Sequence, residues 1–168
     1  MINITIDEVK QTCNLMDLKR VDILTSKFAI VDAFVREHTK VRVYNSVVRG
    51  TASELVSTAF KTGFAYFVYA ESIDFLNTNT TGAGIVGSTG FSDSRIDMLS
   101  GAETEKRRDT LEFKAFSVLK EYLNDVGFQR YTELKKWDDA RRSGVHPSQS
   151  QSEIGTTHVG GKIRGRLL

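Results

Sequence analysis

Cysteine, proline and tryptophan each appear once in this chain. Cys13 has no partner to pair with, and no CxxC exists to hold zinc. Neither is needed for folding, because a domain of 168 residues can bury roughly 70% of its unfolded surface. The scarcity predicts a reducing site of synthesis, with Cys13 as a half-buried small hydrophobe and not a nucleophile. Long hydrophobic runs are missing as well. The most apolar stretch, residues 62–70, is closed by Lys61 and Glu71 and is too short to cross a bilayer. Asp7, Glu8 and Lys10 fall where a signal peptide would need its apolar core. The three histidines, His38, His146 and His158, stand far apart, and neither HExxH nor GxSxG occurs. Carboxylates are plentiful but interleave with bases, as on solvated helix faces. The residues therefore predict no enzyme, no cofactor, no metal and no membrane span.

Charge is close to balanced, but unevenly placed. Of 23 basic and 21 acidic side chains, residues 141–168 hold Arg141, Arg142, Lys162, Arg164 and Arg166 against Glu153 alone. That tail is net +4, and the body before it is net −2. A basic tail on a near-neutral body predicts contact with an acidic or anionic surface.

The pattern that is present is helical. Thr5-Ile-Asp-Glu8, Thr51-Ala-Ser-Glu54 and Ser100-Gly-Ala-Glu103 all read S/T-x-x-E, the capping box that opens a helix. The first predicts a short helix ending near residues 11–13. A second is expected from Asp17 to about His38, with Val21, Leu24, Phe28, Val31 and Val35 on one face, widened by Ile23, Ile30 and Phe34. Val41-Arg-Val-Tyr44 alternates, as a short strand or extended connector would. A third helix is expected over about 52–77. Its middle, residues 64–70, is apolar nearly all round, and its length decides against a buried strand. A fourth is expected over about 102–124, with Leu111, Ala115, Val118 and Tyr122 in phase, Glu103 and Arg107 on its outer surface and Gly127 as its C-terminal cap. A last short helix is expected over about 132–142. The expected core is Leu24, Phe28, Val31, Phe64, Phe67, Leu111, Val118 and Tyr122.

Two segments break the pattern. Residues 78–94 read as irregular chain containing Gly82, Gly84, Gly87 and Gly90. Gly82-Ala-Gly-Ile-Val-Gly87 fits G-x-G-x-x-G, yet that fingerprint needs a strand before it and a helix starting inside it. Ser88-Thr-Gly-Phe91 is not a helix start, so the segment is expected to be a contact loop through Gly82, Gly84, Ile85, Val86 and Gly87. From Val145 onward, Pro147-Ser-Gln-Ser-Gln-Ser152 is a polar linker, and too few apolar groups follow to offset ordering entropy. Ile154, Val159, Ile163 and Leu167, with Arg164 and Arg166, are the expected contacts of an arm docked on another chain. Lys106-Arg-Arg108 and Arg141-Arg142 could neutralise phosphates, but acidic neighbours favour salt bridges on helix surfaces.

The order of a short capped helix, two long helices with the aromatic run Phe-Ala-Tyr-Phe-Val-Tyr-Ala-Glu at 64–71, the Gly-rich break at 81–86, another long helix and a polar tail resembles the small head–tail connector, or adaptor, proteins of tailed bacteriophages. The resemblance covers most of residues 1–140 in pattern. It implies a mainly α fold, a helical bundle of about four to five helices over 1–144 with a long Gly-rich loop, and an extended C-terminal arm over 145–168. It also implies a neck-ring subunit of the virion, made in the host cytoplasm and present in twelve copies. Such a ring joins the portal to the next neck or tail protein and surrounds the DNA channel, where non-specific DNA contact is possible. Rings of this kind use heterologous contacts. The other reading of the residues is a small helical nucleic-acid-binding protein, associated with packaging or regulation.

Overall fold

The first capping box forms as the sequence predicts. Thr5 Oγ accepts the Glu8 N–H at 3.2 Å, and the Glu8 carboxylate accepts the Thr5 N–H at 2.6 Å, opening helix α1 (Ile6–Thr12). The structure is a computed structural model and describes residues 1–16, 18, 20–76, 78–81, 84–87 and 101–143. Helices α2 (Val21–Ser26), α3 (Phe28–His38), α4 (Val41–Val48) and α5 (Glu54–Leu76) follow. Strands β1 (Thr78–Thr81) and β2 (Gly84–Gly87) pair antiparallel. Helix α6 (Gly101–Leu119), a 3-10 turn (Lys120–Tyr122) and helix α7 (Asp125–Arg142) complete the described residues. The protein is mainly helical, a bundle built around α5.

Several expectations are corrected here. The helix expected over 17–38 is two helices with a break at Lys27. Thr25 and Ser26 turn their hydroxyls onto the carbonyls of Val21 and Ile23, and the Lys27 N–H bonds back to Leu24 in a tighter turn. The segment 41–44 is neither strand nor connector. It opens α4, because Tyr44 and Val47, three apart, bury one helical face and override the strand preference of valine. The cap of α5 is Ser53, whose Oγ accepts the Val56 N–H at 3.4 Å. Thr51 belongs instead to the preceding turn, where Gly50 takes φ +70° and the Thr51 N–H reaches Ser46 O at 2.9 Å. Ser100, the third expected cap, lies outside the described residues.

Gly127 does not cap α6. It sits in the first turn of α7, which starts at Asp125 and not near 132, and a Cβ there would lie 2.1 Å from the His38 carbonyl oxygen. Only glycine lets the two backbones approach this closely. Asn124 makes that junction. Its Oδ1 accepts the Gly127 N–H at 2.9 Å, and its amide donates to Glu37 O at 2.6 Å and Thr39 O at 3.3 Å. Of residues 78–94, read as irregular chain, 78–81 and 84–87 pair as β1 and β2, and 82, 83 and 88–94 lie outside the described residues.

The core fills the space between α5 and its neighbours. Phe60, Phe64, Phe116, Leu24, Val31 and Leu119 are fully buried. Phe67 meets Phe34 and Phe116 edge-on, with ring centroids 5.0 Å apart in each case. Of the expected core, Leu24, Val31, Phe64 and Phe67 are buried, while Phe28 and Tyr122 pack partly buried against it. Leu111 is half-buried. Val118 is corrected: it is 37% exposed, because α6 turns Ala115, Phe116 and Leu119 toward α5 instead. Cys13 is half-buried, as expected, and its thiol donates to Ala65 O at 3.4 Å. Burial pushes that thiol up to about 12, so it stays protonated and unreactive.

Candidate functional site

Three helix ends converge at one end of the bundle. Gly63 lies against Leu119, and Asp74 pairs with Arg108, so α5 and α6 run antiparallel. Arg130 reaches Glu112 at 2.9 Å, and Tyr131 stacks on Phe113 with centroids 5.9 Å apart, which sets α7 antiparallel to α6. The C-terminal ends of α5 and α7 therefore meet the N-terminal end of α6. The hairpin leaves from this end of α5, and residues 144–168 continue from this end of α7. The two segments singled out in the sequence as contact elements thus join the bundle at the same place.

Between these helix ends lies a cleft of about 400 Å³. Its apolar lining is Tyr69 and Ile73 from α5 with Leu111 from α6. Its cations are Lys106 and Arg107 from α6 with Arg141 from α7. Thr110 adds a hydroxyl and Glu103 a carboxylate. Glu103 and Arg107, expected on an outer surface, both line this cleft.

Ion pairing sorts the cations here into two kinds. Arg108 pairs with Asp74. Asp138, only 3% exposed, is held by Arg141 at 2.9 Å and Arg142 at 2.7 Å, so its buried charge is matched on two sides. Arg141 also lies 5.2 Å from the Trp137 ring centroid. Lys106 and Arg107 make no ion pair among the described residues. Burial raises the Tyr69 phenol above its ordinary range, opposed by the nearby Arg107 charge. Asp109 is raised too, by burial first and then by Glu112 and Glu105, with Arg130 and Arg108 pulling the other way.

The arrangement offers an apolar floor with cations, a hydroxyl and a carboxylate around it. No histidine or thiol among the described residues lines the cleft. Among the described residues no cluster of histidine, cysteine and carboxylate side chains could hold a metal, and no helix is long and apolar enough to cross a membrane.

Of the expected contact residues, Gly84, Ile85, Val86 and Gly87 form β2, and Gly82 lies outside the described residues. Ile154, Val159, Ile163, Arg164, Arg166 and Leu167 also lie outside them. The sequence did not bring Tyr69, Arg107 and Arg141 together, since each comes from a different helix. The only local signal was the pair of basic clusters, of which Arg141 and Arg142 pair as expected with their neighbour Asp138 while the first cluster differs. Arg108 uses Asp74 of α5 and not its acidic neighbours on α6.

Comparison with protein-family models, with curated proteins and with solved structures finds no match.

Proposed function

We propose that this chain is a structural subunit of a tailed-phage neck ring, joining the portal to the next neck or tail protein around the DNA channel. The observation that carries this reading is the convergence of the hairpin, the start of residues 144–168 and a partly apolar, basic cleft at one end of the bundle. A binding end of this kind on a well-packed aromatic core suits a protein whose work is attachment. The chemistry that an interface favours is there: aromatic and arginine side chains around an apolar floor. In this reading the hairpin and the arm over 145–168 reach onto a neighbouring copy or the portal. The linker 147–152 would give the arm about 20 Å of reach when extended.

Light scattering of the purified protein, alone and mixed with candidate portal, tests it. Self-association or a portal complex is expected, with weak affinity for duplex DNA. A monomer that ignores portal would sink the reading.

One observation favours a second reading. Lys106 and Arg107 make no ion pair among the described residues and could neutralise phosphates, as in a small nucleic-acid-binding protein. Against it, the cations rim a recess that also holds Glu103, whereas duplex binding uses a one-sided basic stripe. Steeply salt-dependent binding of a short DNA duplex, lost in Lys106→Glu with Arg107→Glu, would favour this second reading.

A further inference from the structure

The end of α5 away from the cleft carries the most exposed large hydrophobic side chain among the described residues. Leu55 is 77% exposed in the first turn of the helix. Its neighbour Glu54 is also exposed and makes no ion pair among the described residues. An exposed leucine next to this carboxylate is the counterpart of what lines the cleft: Ile73, Leu111 and Tyr69 for the leucine, and Lys106 and Arg107 for the carboxylate. Arg141 is already held by Asp138, and the other two cations outnumber the one carboxylate lining the cleft, Glu103. Leu55 and Ile73 are separated by about 27 Å along the axis of α5, at 1.5 Å per residue. The corner and the cleft therefore cannot meet within one chain.

We propose that the Glu54–Leu55 corner of one copy inserts into the cleft of a second copy, a head-to-tail contact between identical chains. Leucine enters the apolar floor, and the glutamate is met by Arg107 and Lys106 on the rim. The charge match orients the approach, and burial of the leucine slows release. A contact between two different surfaces of the same chain is heterologous, so repetition closes a ring or extends a filament. The contact rests on the two surfaces themselves, while its closure into a ring rests on the neck-ring reading.

Sedimentation velocity of the full chain over a range of concentrations tests this. Wild type should assemble, less so at high salt. Leu55→Asp should weaken assembly about tenfold or more, and so should Lys106→Glu with Arg107→Glu, each with an unchanged far-UV circular dichroism spectrum. Leu55→Ser, which adds no charge, should act in the same direction. Mixed one to one, the corner variant and the cleft variant should form a dimer and nothing larger, because one intact corner and one intact cleft remain. A wild type that stays monomeric, or a mixture that stays monomeric, overturns the contact. Neither touches the neck reading if portal is still bound. Assembly unaffected by either variant also overturns the contact, and leaves a ring held through another surface.

Discussion

Asn124 links two helices with one side chain, capping α7 with its oxygen and tying down the end of α3 with its amide. Asn124→Ala should cost about 2 kcal/mol in urea unfolding, from the lost cap and two carbonyls left without this donor. Asn124→Ser keeps a capping oxygen and loses the amide, so it should fall between wild type and alanine. Asp32 plays a comparable part near the N-terminus. It accepts the Ile2 N–H at 2.9 Å and the Tyr44 hydroxyl at 2.7 Å. Burial first, then the hydrogen bond and charge of Asp32, push the Tyr44 phenol up to about 12. A phenol raised above its unfolded value of about 10 holds its proton more tightly in the folded state. Its contribution to stability is fully present below about pH 10 and is lost as pH rises through 12. Unfolding measured across that window should show the decline, and Tyr44→Phe should flatten it. Asp32→Asn should lower the phenol's pKa in an absorbance titration. The Thr5 box was legible because all its atoms lie within four residues. The Asn124 clamp was not, because its acceptors are more than eighty residues away in sequence.

At the scale of elements, the 3–4 spacing of apolar residues finds helix at α3 and α6, though Val118 faces out and Tyr122 lies past the end of α6. The length of its apolar run identifies α5. The break at Lys27 was hidden because Leu24, Phe28 and Val31 stay in phase across it. What ends α2 is side-chain bonding to its own carbonyls, which apolar spacing does not register. Residues 41–44 were too few to separate a period of two from one of 3.6, and only Val47 behind them fixes the helix. Gly127 resembled a stop signal, but it is required by the backbone of α3 and not by the end of α6. The α5–α6 crossing shows the same dependence on distant neighbours. A Cβ at Gly63 would lie 2.7 Å from Leu119 Cδ1 and 2.8 Å from its Cγ. Leu119 is 1% exposed and has no room to swing aside. Alanine should gain about 1 kcal/mol of helix propensity, but overpacking typically costs about 1–3 kcal/mol. The clash should win, making Gly63→Ala net destabilising by about 1 kcal/mol. On a Leu119→Ala background the same change should stabilise, and a double-mutant cycle in urea separates the two terms.

For the whole molecule, the sequence identified a mainly helical bundle and singled out the two segments that leave its helices at 76 and 143. It did not reveal that both leave from one end, since that follows from the antiparallel packing of α5, α6 and α7. Nor did it find the cleft, where Tyr69 read as core and Arg141 as one of a surface pair. If that end serves attachment, its removal should spare the fold. Deleting residues 145–168 should leave the far-UV circular dichroism per helical residue unchanged and block incorporation into the particle. The most direct measurement of the neck-ring reading is native mass spectrometry of the full chain mixed with candidate portal. The account predicts a complex carrying twelve copies of this chain. A chain that remains apart from portal at every concentration, yet binds a short DNA duplex with steep salt dependence, would contradict it.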